Sequence, residues 1–250
     1  MSTIERKISE PSVFQRVDAS KAPVSQTLSR GIRILEILAD AREPLTIDEL
    51  ARSLDLHRSI AYRLLRTLES HRLVERDAAG KVSLGARMAA LATGIAHDLQ
   101  SAALPELTAI AGDLGMTCFL VVLDQDECIT LASVEPRHAI ASVVQRPGAR
   151  HSVLLGAPGK AILSILTPAE WPDGASARLR DEVAEVRERG YATSHDEVIR
   201  TVQSVSVPLS LRGRRPAAIA VIHVGTGLGP DVIAARLTRS VESIREALAG

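Results

Sequence analysis

The sequence predicts an α+β protein, with a helical front part followed by a mixed α/β part. Between residues 25 and 71, apolar residues recur at steps of three and four, the period of helices that bury one face. From Met116 onward, short runs rich in valine, isoleucine and leucine predict buried strands separated by further helices. The 250 residues provide enough chain for two domains, each with its own core.

The front part is expected to follow a mobile tail, residues 1–24, in which charges, serines and prolines mix without periodicity. A first helix is predicted from Ser25 to about Asp40. Thr46 and Glu49 then have the spacing of a capping box, which starts a second, short helix. Two helices joined by a short connection are therefore expected first.

A third helix and a hairpin complete the front part. The helix is predicted over about 57–71, and two short strands are predicted at 73–77 and 81–84. Three helices followed by a β-hairpin describe a winged helix-turn-helix, here expected over residues 25–85. The alanine-rich segment 86–113 is predicted to form linker helices, with Pro105 in the first turn of the second one.

The remaining residues, 114–250, are predicted to form a second domain. Its strands are predicted at 117–123, 128–134, 141–146, 202–211 and 216–224. Its helices are predicted at about 157–166, at 176–189 and from Pro230 onward. Four polar residues join the first two strands, so we expect these strands to pair as an antiparallel hairpin.

The composition argues against several classes of protein. No run approaches the ~18 consecutive apolar residues that cross a bilayer, and aromatic residues, 2% of the chain, are too scarce to stack single-stranded nucleic acid. The first residues carry charges and a proline where a secretory leader would be apolar, so a cytoplasmic protein is expected. Cys118 and Cys128 are then expected as reduced core residues, because the hairpin would not place them opposite each other.

The third helix has one apolar side and one basic side, although the chain as a whole has no formal net charge. A helical wheel places four apolar side chains within one narrow arc: Ala61, Leu64, Leu65 and Leu68. Ser59, Arg63 and Arg66 lie on the opposite side. Arginines placed only for solubility would explain this basic side. A helix that enters the major groove of DNA is the favoured explanation, because a short capped helix precedes it and a wing follows it.

Six side chains are therefore candidates for contact with double-stranded operator DNA: Arg58, Ser59, Tyr62, Arg63, Arg66 and Lys81. Arg63 and Arg66 could reach guanine edges or phosphate. Ser59 and Tyr62 would donate to phosphate oxygens, and Lys81 on the wing would contact the flanking backbone.

Two glycine motifs favour an enzyme only weakly. GAPGKA (156–161) has the Gly-Lys pair of a phosphate-binding loop, but Leu154 stands where the first glycine is needed and Ala161 where Ser or Thr is needed. GTGLGP (225–230) follows a predicted strand, but a proline replaces the last glycine of a dinucleotide loop. An enzyme with a nucleic-acid anchor is therefore the least favoured alternative.

The histidines and cysteines provide no motif for a metal or a nucleophile. The seven histidines show no paired metal-ligand spacing. Neither cysteine has a sequence neighbour that would activate it as a nucleophile. We therefore predict a protein that is not an enzyme and that uses no metal or cofactor.

The front part resembles the IclR-type transcriptional regulators along LSRGIRILEILADAREPLTIDELARSLDLHRSIAYRLLRTLESHRLVERDAAGKVSLGARM. Its LHRSIAYRLL run stands where the family usually has leucine, proline, lysine, serine, threonine, valine, tyrosine, arginine, leucine and leucine. Ser59, Tyr62, Arg63, Leu64 and Leu65 match that pattern, whereas His57, Arg58, Ile60 and Ala61 depart from it. The resemblance continues through GKAIL (159–163), VRERGYA (186–192) with Glu197 beyond it, and PAAIAV (216–221).

The resemblance implies a DNA-binding homodimer or homotetramer whose second domain is GAF-like and binds a small effector. Carried over by motif, the effector pocket would be lined by Ile140, Val143, His151, Ala157, Pro158, Ser194, Ser204, Ala220 and Ile222. A helix that begins near Ala157 would direct its first N–H groups toward the effector, which suits a carboxylate.

The implied pocket has fewer polar groups than is usual for the members of the family that bind small organic acids. Those members often have an aspartate, a cysteine and two serines, where this chain has Ser194, Ser204, Ala220 and Ile222. Fewer hydrogen-bonding groups favour a more apolar effector, such as an aromatic or hydrophobic carboxylic acid. The alternative is a closed pocket in a regulator that binds DNA constitutively.

Overall fold

The computed structural model describes residues 25–137 and 143–249. The chain divides between Gly94 and Ile95 into two compact units. The predicted tail, residues 1–24, lies outside the described residues, as does Ile140. Within the described residues, no helix has the length and apolar character needed to cross a membrane.

The first unit has the order of elements predicted for a winged helix-turn-helix. Its elements are α1 Gln26–Asp40, α2 Ile47–Ser53, α3 Arg58–Ser70, β1 Val74–Arg76, β2 Val82–Leu84 and α4 Arg87–Ala92. The two strands pair antiparallel, with Val74 opposite Leu84. Leu45, before α2, forms an additional bridge to Val82. The predicted fold of the front part is confirmed.

Side-chain caps fix where the helices of the first unit begin. The Thr46 hydroxyl accepts from the Glu49 N–H at 3.3 Å, and the Thr46 N–H donates to Glu49 Oε2 at 2.7 Å, so the predicted capping box is present. These bonds from the Thr46 backbone and hydroxyl lower the pKa of the Glu49 carboxyl. His57 caps α3 through Nδ1, a role that its sequence position did not suggest.

The core of the first unit is formed by the apolar sides of its three main helices together with the hairpin. Ile34, Leu50, Leu65 and Val82 are each completely buried and belong to one cluster. Ala61, Leu64 and Leu68 of α3 are buried as well, as the helical wheel predicts. The rotation of α3 about its own axis is therefore fixed by packing.

The described residues of the second unit form one sheet and four α-helices. Its elements are α5 His97–Leu114, β3 Thr117–Asp124, β4 Glu127–Val134, β5 Arg150–Ser152, α6 Gly156–Ser164, a 3₁₀ turn Pro168–Glu170, α7 Ala177–Arg189, β6 Ala192–His195, β7 Gln203–Leu209, β8 Ala217–His223 and α8 Pro230–Ala249. The strand order is β5-β4-β3-β8-β7-β6, and every neighbouring pair is antiparallel. The predicted antiparallel sheet is confirmed.

Three details of the second unit differ from the sequence prediction. The strand predicted at 141–146 is wrong for residues 143–146, which belong to no strand. Strands β5 and β6 were not predicted, because each is short and neither has an alternating apolar pattern. Pro105 lies inside α5, whereas it was expected in the first turn of a separate helix.

Helices cover both faces of the sheet. Cys118, Leu120 and Val122 point to one face, where they join the core formed with α5 and α8. Phe119 and Val121 point to the other face, toward α6 and α7. Residues 97–113, part of the segment predicted as linker helices, thus contribute to the core of the second unit.

Both cysteines are buried and have no disulfide partner in the register of the sheet. Cys118 lies opposite Val134 and Cys128 lies opposite Leu123, with a bulge between Leu120 and Val121. Burial raises the pKa of Cys128 to about 12 and raises the pKa of Cys118 still further.

We expect both thiols to react slowly with a disulfide reagent such as 5,5′-dithiobis(2-nitrobenzoate) in the folded protein, because the reactive thiolate is strongly disfavoured there. In guanidinium chloride both thiols should react at the rate of an exposed cysteine. Fast labelling of either cysteine under native conditions would contradict the burial of these side chains.

Gly159 is required by the close approach of α6 to the backbone of the preceding loop. A Cβ atom at this position would lie 2.1 Å from the Val153 carbonyl oxygen and 2.8 Å from the Val153 carbonyl carbon. Gly159→Ala should therefore lower the free energy of unfolding by about 1–3 kcal/mol. Chemical denaturation measures the change.

Gly112→Ala is the matched control for this substitution. Gly112 is exposed within α5 and has no atom within 4 Å of an added Cβ, so alanine there should stabilise by about 1 kcal/mol through its helix propensity. Equal denaturation midpoints for the two variants would show that α6 does not approach Val153 so closely.

Candidate DNA interface and effector pocket

The basic side of α3 faces away from the core of the first unit. Arg63 and Arg66 are exposed. Tyr62, at the side of the helix, retains 45% of its accessible surface. The buried leucines on the opposite side of the helix hold this orientation. Contacts within the protein then determine which of the six predicted DNA-binding side chains are available to DNA.

Two of the other arginines near α3 are held in ion pairs. Arg58 pairs with Asp48 of α2, and Arg76 Nε lies 2.8 Å from Glu69 Oε1. The Arg76 guanidinium also lies 6.0 Å from the centre of the Tyr62 ring. Among the described residues, no hydrogen bond or ion pair involves the side chains of Arg63 and Arg66. These two guanidinium groups are thus available to a polyanion.

Ser59, at the start of α3, contacts His57 through both its backbone and its side chain. His57 Nδ1 accepts from the Ser59 N–H at 3.3 Å and lies 2.8 Å from Ser59 Oγ. Because Nδ1 accepts from the backbone, it carries no proton, so the Ser59 hydroxyl is the donor in its contact with Nδ1. The predicted donation from Ser59 to a phosphate would require this hydroxyl to turn away from His57.

Lys81 lies at the end of the tight turn of the wing. Asp77 Oδ1 accepts from the N–H groups of Ala79 and Lys81 at 2.9 and 2.8 Å, and Gly80 adopts the left-handed conformation at φ +79°. This turn fixes the backbone of the wing from which Lys81 projects. Its contact with DNA stays a prediction.

The predicted effector site coincides in part with a small cavity in the second unit. The cavity measures about 50 Å³. Five predicted residues line it: His151, Pro158, Ser194, Ser204 and Ile222. Sequence reasoning missed the other lining residues, which are Phe119, Gln145, Gly156, Glu197, Val198, Ile199 and Val202.

The other predicted pocket residues lie elsewhere. Ala157 and Ala220 are completely buried in the core between the sheet and α6 and do not line the cavity. Val143 lines a neighbouring crevice that it shares with Ile222. Ile140 lies outside the described residues.

Most polar groups of the cavity wall already have partners within the protein. Burial lowers the pKa of His151, whose Nδ1 lies 3.0 Å from the Ser152 carbonyl oxygen. The neutral ring therefore donates from Nδ1 and leaves Nε2 as an acceptor. Ser204 Oγ donates to the Val221 carbonyl at 2.9 Å, and Gln145 donates to Thr130 Oγ1 at 2.8 Å.

Glu197 occupies the N-terminus of α6, where an effector carboxylate was expected. Its Oε2 accepts from the Gly156 N–H at 2.9 Å. Its Oε1 lies 2.5 Å from Lys160 Nζ, which also lies 2.7 Å from Glu182 Oε2. The sequence placed Glu197 in the family pattern but did not indicate this role, since its partners are distant along the chain.

The GAPGKA motif therefore has a structural explanation. Lys160 retains only 4% of its accessible surface and is neutralised by two carboxylates, so it is not a phosphate-binding lysine. Gly159 is needed for packing against Val153. Among residues 25–137 and 143–249, no cluster of three or more His, Cys, Asp or Glu side chains could hold a metal ion.

Comparison with known proteins identifies the family. The model of the IclR helix-turn-helix domain matches residues 27–78, and the model of the C-terminal domain of bacterial IclR transcriptional regulators matches residues 92–173. The probable transcriptional regulator SauR of Cupriavidus necator is 30% identical over 211 residues, which cover 77% of this chain and 83% of SauR. The chain belongs to the IclR family. It is a DNA-binding transcriptional regulator and not an enzyme.

Another relative agrees with this assignment, and solved structures share the fold. The transcriptional regulator XynR of Escherichia coli is 27% identical over 205 residues, 75% of this chain and 81% of XynR. The crystal structure of an IclR regulator from Alicyclobacillus acidocaldarius has a TM-score of 0.79 at 24% identity and covers 90% of this chain and 99% of that one. An IclR homologue from Microbacterium hydrocarbonoxydans, solved with 4-hydroxybenzoate, has a TM-score of 0.77 at 23% identity, with 90% and 99% covered.

Arg63→Ala should weaken binding to DNA from upstream of the protein's own gene, by about 1–3 kcal/mol if the guanidinium reads a base. Arg66→Ala should lower the slope of affinity against salt by about one if this arginine contacts a phosphate. Gel shift over a series of salt concentrations measures both effects.

Arg180→Ala provides a control of equal charge. Arg180 is exposed on α7 in the second unit, so its loss should leave both affinity and salt slope unchanged. Unchanged affinity in Arg63→Ala and Arg66→Ala would remove the basic side of α3 from the DNA interface.

Proposed function

We propose that this IclR-family regulator binds its operator as a dimer or tetramer and that a small apolar carboxylic acid changes its affinity for DNA. The observation that carries the effector proposal is the cavity, which has a mainly apolar wall and contains Gly156 at the N-terminus of α6 and Glu197, the carboxylate that pairs with Lys160. An apolar wall with a few polar groups at one end suits a hydrophobic acid.

The cavity wall supports the aromatic or hydrophobic character of this effector. Apolar side chains contribute most of it: Phe119, Pro158, Val198, Ile199, Val202 and Ile222. The 4-hydroxybenzoate bound by the homologue from Microbacterium hydrocarbonoxydans is an acid of the same class, which supports carrying the proposal to this chain.

The size of the cavity requires it to open for such an effector. An apolar cavity of about 150 Å³ holds one benzene ring, whereas this one measures about 50 Å³. Binding would therefore favour a conformation in which the cavity is wider. Coupling of that change to DNA affinity would typically amount to about 1–3 kcal/mol.

A dimer or tetramer is supported by the exposed apolar surface of α1. Leu28 and Ile32 lie one turn apart and retain 64% and 47% of their accessible surfaces. Contiguous exposed apolar surface is where another copy of the protein can pack. Two copies would also present two copies of α3 to the two halves of an operator.

The second candidate function is constitutive DNA binding with a closed pocket. The small cavity volume and the satisfied polar groups of its wall favour this alternative. The two candidates make opposite predictions for ligand binding.

Thermal melting in the presence of benzoate, 4-hydroxybenzoate, phenylacetate and pyruvate separates them. An effector at ~100 times its dissociation constant should stabilise the protein by ~2.7 kcal/mol, and the aromatic acids should exceed pyruvate. The active acid should then change the gel-shift midpoint on upstream DNA. Unchanged melting and unchanged DNA binding across this series would favour the constitutive regulator.

A further inference from the structure

A single loop forms the roof of the effector cavity. Residues 196–201, here named the roof loop, lie in the connection between β6 and β7. Asp196 and Thr201 at its two ends both have positive φ, 60° and 66°. The Asp196 carboxylate accepts from the Thr201 N–H, and the Asp196 N–H donates to the Val202 carbonyl at 3.1 Å. These two bonds close the base of the loop.

Apolar contacts contribute little to holding the roof loop in place. Val198 and Ile199 line the cavity, yet they retain 46% and 45% of their accessible surfaces. Val198 rests directly on Gly156, because a Cβ atom there would lie 2.9 Å from Val198 Cγ2. Since nearly half of each side chain is exposed, burial alone anchors the loop weakly.

Glu197 supplies the polar anchor. It accepts from the Gly156 N–H at 2.9 Å and from Lys160 Nζ at 2.5 Å, and both partners belong to α6. Lys160 Nζ also contacts Glu182 Oε2 and the Thr193 carbonyl oxygen at 3.3 Å. Charge-assisted hydrogen bonds of this kind are among the strong ones in proteins.

Opening the roof loop would leave two donors on α6 without partners. The Gly156 N–H and one N–H of Lys160 would lose Glu197, although Gly156 and Lys160 are almost completely buried. An unsatisfied buried donor is costly. A carboxylate that entered the cavity could accept from both donors. It would then replace the two hydrogen bonds that Glu197 makes when the loop is closed.

We propose that Glu197 is a latch that holds the roof loop over the cavity, and that an organic carboxylate opens the loop by taking the place of Glu197 on Lys160 and Gly156. This inference rests on the proposed effector function. It specifies that the effector carries a carboxylate that binds Lys160 and Gly156. A neutral ligand of the same shape cannot replace a carboxylate beside Lys160.

The latch itself is tested without any effector. Hydrogen–deuterium exchange of the peptide that contains the Gly156 amide, which donates to Glu197, and of peptides covering residues 196–202 is followed in the full-length protein and in Glu197→Gln. Loss of a charged hydrogen bond typically amounts to 1.5–3 kcal/mol, so exchange in Glu197→Gln should rise at least about tenfold. Exchange equal to that of the wild type would overturn the latch.

Two control variants isolate the contribution of Glu197. Glu182→Gln removes the other carboxylate on Lys160, which lies on α7 outside the roof loop, and should leave exchange of the loop near the wild-type rate. Glu188→Gln removes an exposed carboxylate of α7 and should change nothing. Equal acceleration in Glu182→Gln and Glu197→Gln would overturn the latch, because it would show a general loosening around Lys160.

If Glu197→Gln does not fold, Glu197→Asp provides the same test. The shorter side chain cannot reach Gly156 and Lys160 together, so exchange of the roof loop should again rise. Wild-type exchange in a folded Glu197→Asp variant would overturn the latch.

Benzoate and its neutral analogue benzamide test whether a ligand carboxylate replaces the Glu197 carboxylate. By isothermal titration calorimetry, Glu197→Gln should bind benzoate about tenfold more tightly than the wild type does, because a competing carboxylate worth about 1.4 kcal/mol is gone. The affinity for benzamide should rise less. An equal rise for both ligands would overturn the replacement of Glu197 by a ligand carboxylate.

The failure of the proposed effector class has a different signature. If neither the variants nor the wild type bind any acid, two hypotheses are wrong: that a ligand carboxylate replaces Glu197, and that the effector is an acid. The hydrogen–deuterium exchange measurements still decide whether Glu197 latches the loop. DNA binding by gel shift is independent of both outcomes.

Discussion

The burial of one side of α3 is the constraint on which the function of this protein depends. Leu65 packs in the same cluster as Ile34, Leu50 and Val82, and Leu64 and Leu68 are buried beside it. Because the side chains of a helix advance by a fixed angle, burying the leucines fixes where Arg63 and Arg66 point. Arg58 and Arg76 are held by neighbouring carboxylates, so the two arginines of α3 whose side chains have no described partner, Arg63 and Arg66, define the basic surface.

In the second unit, too, packing of the core fixes the position of the polar groups proposed to contact a ligand. Alternating side chains of the sheet fill a core on each face, and Gly159 lets α6 approach Val153 closely. This packing fixes the N-terminus of α6 and the buried Lys160 beside the cavity. A buried ammonium requires a carboxylate partner, and Glu197 and Glu182 both provide one. The proposed ligand class follows from the possibility that an external carboxylate replaces Glu197.

The sequence predicted the features that depend on local patterns. The capping box of Thr46 joins residues only three apart, and the helical wheel of α3 uses one short segment. Strands β5 and β6 are too short and too polar for their pattern to indicate them. The bulge after Leu120, which places Cys118 opposite Val134, leaves no local signal. Glu197 could not be assigned a partner, because Gly156 and Lys160 lie 41 and 37 residues away.

Arginine footprinting with phenylglyoxal tests the central claim most directly, because it leaves the sequence unchanged. The protein is labelled alone and when bound to DNA from upstream of its own gene, and modified arginines are located by mass spectrometry. DNA should protect Arg63 and Arg66 while the labelling of Arg180 stays the same. Equal labelling of Arg63 and Arg66 with and without bound DNA would contradict an interface formed by the basic side of α3.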